Sequence, residues 1–178
     1  MVSSPVFNRC IFGSLARITD LDARPFEVEP RAQSEWDTGD YVVGIVTDTS
    51  GYRAVELPSG RDMEVAAGDA VVGAFGTRHA TLEMTGSWRD IGDDLLMHAL
   101  TRAGLFGHVE SRSTLVQPPF QLRYHGHVCR DDTKVTMGTA ASSVDEQPYT
   151  TPTILFAGTS MSAGKTTAAR IVTRRLKR

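Results

Sequence analysis

The chain has 178 residues and a formal net charge of -2, with 40% apolar and 22% charged residues. That length suits one medium domain, or one domain plus part of another, and the ordinary composition excludes wholesale disorder and fibrous repeats. A sequence pI near 6.2 argues against nucleic acid as the main partner. Cys10 and Cys129 lie far apart without Cys-x-x-Cys spacing, which points to a reducing compartment. The sequence has neither an apolar run long enough for a membrane span nor a basic n-region followed by an apolar h-region, so cytoplasm is the expectation. A homo-oligomer stays open.

In chain order, "EVEPRAQSEWDTGD" (27–40) reads as an exposed or mobile loop. From Tyr41 to Trp88, short β-branched runs separated by turn residues predict strands in "YVVGIVTDT", "YRAVEL", "DMEV", "AVVGAFG" and "ATLEM". This is the pattern of an antiparallel sheet or small barrel. The period then changes. In "DIGDDLLMHALTRAG" (90–104), Ile91, Leu95, Leu96, Ala99 and Leu100 recur at helical spacing, Asp93 and Asp94 sit where a first turn would be, and Gly104 suits a C′ position. Further strands are expected in "FGHVES", "QLRYHGHV" and "KVTM", with Pro118 and Pro119 as a rigid break. Residues 1–145 are thus expected to form a mainly β accessory or substrate-recognition domain with one helix, within an α+β chain. A small, polar, Pro-containing linker runs over about 146–152.

The chemistry concentrates in "TILFAGTSMSAGKTTAARIVTRRLKR". Binding a triphosphate needs backbone N–H groups in a loop of small residues, a helix N-terminus, a long cation and a hydroxyl for Mg²⁺. Ser160, Met161, Ser162, Ala163 and Gly164 supply the loop. Lys165 supplies a cation able to reach the β and γ phosphates, Thr166 the metal-side hydroxyl, and Thr167 a contact to the α phosphate. An apolar run at 153–157 predicts a preceding strand, and Ala168, Ile171, Val172 and Leu176 predict a helix that packs on a sheet.

This segment resembles the Walker A motif of P-loop NTPases, G-x-x-x-x-G-K-[ST]. The first motif position falls on Thr159, with the glycine one residue earlier at Gly158. That form is similar to dethiobiotin synthetase and its relatives in the MinD-like branch, and Ser160 stands where MinD-type members often carry an extra lysine. The resemblance implies Mg·ATP, with Mg·GTP second, used for ligation or phosphoryl transfer on a small-molecule substrate. It makes Lys165 the catalytic residue, Thr159 to Thr167 the nucleotide-binding residues and Thr166 the metal ligand. Only 12 residues follow Thr166, and one strand and one helix cannot form an independent α/β domain. The expectation is the N-terminal part of a longer enzyme, with little turnover by residues 1–178 alone. The competing expectation is a ligand-sensing or protein-interaction β module beside an inert P-loop segment, with 153–157 joining its sheet.

Other candidates are weaker. His125 and His127 alternate along a predicted strand as a metal pair could, yet no third ligand stands at diagnostic spacing. "GAFGTRHA" (73–80) could expose Arg78 and His79 to an anionic ligand, although Gly73 and Gly76 serve equally as strand-bend residues. Asp93 and Asp94 could pair for acid/base work, but adjacent helical residues diverge. Cys129 is expected to be a packed, unreactive thiol.

Overall fold

The structure, a computed structural model, describes residues 10–80, 82–141, 148–159 and 163–177. The β-branched runs form twelve strands: β1 Ile11–Phe12, β2 Glu27–Glu29, β3 Tyr41–Asp48, β4 Ala54–Glu56, β5 Asp62–Glu64, β6 Ala70–Phe75, β7 Thr77–Ala80, β8 Met84–Ser87, β9 Leu96–Ala99, β10 Leu105–Arg112, β11 Gln121–Arg130 and β12 Thr133–Lys134. Two α-helices follow, α1 Met137–Ala140 and α2 Lys165–Leu176. The described part is therefore β-rich, as its composition of short strands and turns predicts. No helix among the described residues is long and apolar enough to cross a membrane.

Five strands close on themselves. β6 pairs β3, β3 pairs β11, β11 pairs β9 and β9 pairs β10, all antiparallel, and β10 returns to β6 in parallel. An odd ring requires one parallel contact. It is made by Ala74 N donating to Gly104 O (2.8 Å) and Gly76 N donating to Phe106 O (3.1 Å). Side chains that alternate inward from the ring fill it: Val42, Val46, Val71, Phe75, Met97, Phe106 and Leu122 are all at most 2% exposed. The alternate residues of β3 and β6, Tyr41, Val43, Val72 and Ala74, are equally buried, because the arm around Ala16 and Leu21 covers the outer face. This is why both strands read as nearly continuous apolar runs.

Three sequence expectations change. Residues 90–104 form no α-helix. Trp88–Asp90 is a short 3-10 turn, Leu95 takes a positive φ of 59°, and β9 and β10 make a hairpin. Met97 and Ala99 alternate into the ring, so a period of two satisfies the same apolar residues better than a helix packed outside. "ATLEM" is interrupted by the turn between β7 and β8, and "KVTM" by the start of α1 at Met137. Finally, 27–40 is not loose. It contributes β2, the 3-10 turn Gln33–Glu35 and Trp36, which is 6% exposed and packs at a tilt with its ring centre 4.7 Å from that of Phe75 and 4.5 Å from that of Tyr124.

Candidate functional site

Helix α2 is 12 residues long, with Arg174 and Arg175 in its last turn, where cations complement the helix dipole. Its N-cap is Gly164 in the left-handed conformation, φ 80° and ψ 6°, where a side chain would be strained. Gly164 O accepts from Ala168 N (2.9 Å), and Gly164 itself has no side chain with which to cap the first turn. Upstream, a Cβ on Gly158 would lie 3.1 Å from Lys165 Cγ and 3.2 Å from Ala163 Cβ. The chain thus closes back on itself, residue 158 resting on the aliphatic stem of Lys165.

Of the predicted phosphate-binding residues, Thr159, Ala163, Gly164, Thr166 and Thr167 are exposed and Lys165 is half-buried, while Ser160, Met161 and Ser162 lie outside the described residues. The expected strand at 153–157 is not formed. A strand needs a partner ladder, and none of the described strands pairs with it, including those of the ring it was expected to join as an alternative. Ile154 and Leu155 are 58% and 85% exposed, and α2 buries none of its residues, so the expected packing of its apolar side on a sheet is absent among the described residues.

The other polar concentration is enclosed. Asp40, immediately before β3, and His127 on β11 are 1% and 0% exposed. His127 Nε2 donates to Asp40 Oδ2 (3.1 Å), and Nδ1 shares a 2.6 Å hydrogen bond with Tyr124 Oη. Lys134 Nζ donates to the same carboxylate (2.6 Å) and to Glu35 O (2.6 Å), and Asp37 N donates to Asp40 Oδ2 (2.8 Å). Arg31 N donates to Tyr124 Oη (3.0 Å), and Trp36 Nε1 donates to Arg31 O (2.9 Å). Burial alone would raise the Asp40 pKa. Its bonds from His127, Lys134 and Asp37 outweigh that and hold it below the usual carboxylate value. Burial pushes the Tyr124 hydroxyl up to about 12. Asp, His and Tyr in line resemble catalytic groups, but no substrate can reach atoms so enclosed. Their work is to fasten the 31–37 turn over the ring.

His125 and His127 do not form a metal pair. The register between β11 and β3 shifts at Tyr124/Gly126, so the residue parity facing the ring changes from Leu122 and Tyr124 to His127. Asp93 and Asp94 are exposed turn residues, and Asp94 Oδ1 accepts from Leu96 N (3.1 Å). Glu27, Glu29 and Asp132 bring their ligand atoms within 4.8 Å of one another, but Arg31 already ion-pairs with Glu29. Cys129 is fully buried, and burial raises its thiol pKa, as expected of a packed cysteine. Arg78 and His79 neighbour each other on β7, with Arg78 half-buried and His79 exposed.

No family model, no curated protein and no solved structure matches the chain.

Sequence reasoning missed Asp40, Lys134 and Trp36, whose meeting depends on β3, β11 and β12 lying side by side. A histidine followed directly by the apolar Val128 and Cys129 was the one local signal.

Proposed function

We propose that residues 158–167 belong to a phosphate-binding loop, and that the chain is part of a P-loop ligase or phosphotransferase using Mg·ATP, less readily Mg·GTP, with the β-rich domain recognising a small-molecule substrate. The supporting observation is the packing of Gly158 on the Lys165 stem, with left-handed Gly164 opening α2. The described residues are compatible with the group: a side chain at 158 would crowd the Lys165 stem and Ala163, and a helix N-terminus favours an anion.

In this reading Lys165 neutralises phosphoryl charge, Thr166 holds the metal through its hydroxyl, Thr167 contacts the α phosphate, and Gly158 allows the backbone to approach. When bound, Mg·ATP supplies the activated phosphoryl group. The chain's part is to place and neutralise it. The exposed apolar side of α2 and the exposed Ile154 and Leu155 support a setting in which further sheet strands cover them.

The test is calorimetric titration of Mg·ATP and Mg·GTP into the 178-residue chain and its Lys165→Ala variant. Micromolar binding lost in the variant supports the reading. Equal heats from both proteins would place the nucleotide away from Lys165, and no heat from either would rule out binding by this chain; each outcome would overturn the phosphate role of the segment.

A further inference from the structure

A cavity of about 720 Å³ lies at the sheet edge where β1 pairs with β6, away from the residues of the nucleotide reading. That is within the size range of small-molecule pockets. The edge strand supplies Ile11 and Phe12 to its lining, and the β4–β5 hairpin supplies Leu57 and Met63. Polar ties hold this hairpin: Arg17 Nε donates to Pro58 O (2.9 Å), Arg17 also pairs with Glu56, and Arg102 pairs with Asp62 at 2.7 Å. Apolar surface is left uncovered between the elements. Met63 is 43% exposed, and Ile11 and Phe12 are only half-buried.

The charges decide what fits that surface. Asp22 and Asp69 line the same cavity, and no lysine, arginine or histidine does. Asp69 Oδ2 accepts from Ala66 N (2.8 Å), a bond that closes the turn before β6 and leaves its other oxygen without a partner. Among the described residues neither aspartate makes an ion pair. The cations on their side of the fold are engaged elsewhere, since Arg17 is held by Glu56 and Pro58 O, and Arg24 by Asp20. Burial pushes the Cys10 thiol up to about 11, so this third polar group of the lining stays neutral. An anion in the cavity would meet like charge, and a neutral apolar molecule would take water from the carboxylates and return nothing. An ammonium group returns charge-assisted hydrogen bonds. The geometry points to a binding site for a small organic ammonium with an apolar body, its head between Asp69 and Asp22 and its body against Ile11, Phe12, Leu57 and Met63. The inference goes beyond the nucleotide reading and does not depend on it.

The experiment is a titration of the ¹⁵N-labelled 178-residue chain with tryptamine in the absence of nucleotide, following the amides of Phe12, Met63 and Ala70. Saturable shifts at these amides are expected. The neutral tryptophol, of the same shape, should bind about tenfold more weakly, and the anionic indole-3-acetate should not saturate. Asp69→Asn keeps an acceptor for Ala66 N while removing the charge, so it should weaken tryptamine about fivefold at an unchanged melting temperature. Asp22→Asn, at an exposed turn, should weaken it by a similar factor. Added salt should weaken tryptamine and leave tryptophol unaffected. No saturable shift at these amides, equal binding of tryptophol or indole-3-acetate, or tryptamine affinity unchanged when both aspartates are replaced would each overturn the assignment. None of these outcomes bears on Lys165, so the nucleotide reading stands or falls separately.

Discussion

A carboxylate taken out of water must be compensated by several donors, and Asp40 has three sources of them: His127, Lys134 and the Asp37 amide. Asp40→Ala would leave the buried His127 imidazole without its acceptor and the Lys134 ammonium with Glu35 O alone. A loss of about 3–5 kcal/mol is expected in urea unfolding, the range for breaking one partner of a buried pair. Because the folded pKa of Asp40 lies below its ordinary 3.8, the unfolded chain takes up the proton first on acidification. The stabilisation is full above that value and disappears as pH falls through the lower folded pKa. His98 adds a second acid-sensitive step. Burial, with help from His108, lowers its pKa below the ordinary 6.5, and its Nδ1 accepts from Val109 N (3.3 Å). Protonation is thus disfavoured in the fold, and stability should begin to fall as pH drops below about 6.5. In His98→Asn, unfolding measured at successive pH values should show that first step flattened while the lower one, due to Asp40, persists.

Elements were legible where local pattern and tertiary role agreed. The strands around Tyr41–Asp48 and Ala70–Phe75 follow from β-branched runs between turns, and α2 follows from its composition. The 90–104 region was misread because Ile91, Leu95 and Ala99 satisfy helical spacing while Met97 and Ala99 satisfy alternation, and only the neighbours β10 and β11 decide between them. The bulge in β11 is equally invisible locally, since no residue in "YHGHV" marks which strand will face it. In the candidate phosphate segment the helix was readable, the loop centre at 160–162 lies outside the described residues, and the expected strand at 153–157 has no partner among the described strands. Packing also makes demands that sequence does not announce. A Cβ on Gly73 would lie 2.2 Å from Gly104 O, backbone that cannot swing away. Gly73→Ala should therefore destabilise by about 1–3 kcal/mol in thermal or urea unfolding by forcing the parallel β6–β10 contact apart.

Over the whole molecule, stability resides in the ring and its covering arm, and the 153–177 segment contributes little to it. Leu122 is fully buried inside the ring, so Leu122→Ala should cost about 2–5 kcal/mol. Leu155→Ser, at a site 85% exposed, should change unfolding by no more than about 0.5 kcal/mol. The closed ring also has a kinetic meaning. Without β11, the pairings that remain give an open sheet ordered β3, β6, β10, β9 with two bare edges, because β11 alone joins β3 to β9. A chain emerging from the ribosome cannot seal the cylinder until Arg130 has been synthesised. Pairing strands so distant in sequence places folding in the slow range of about milliseconds to seconds. During synthesis the interval before β11 arrives is when two unprotected strand edges are presented together, and it is then that aggregation competes with folding.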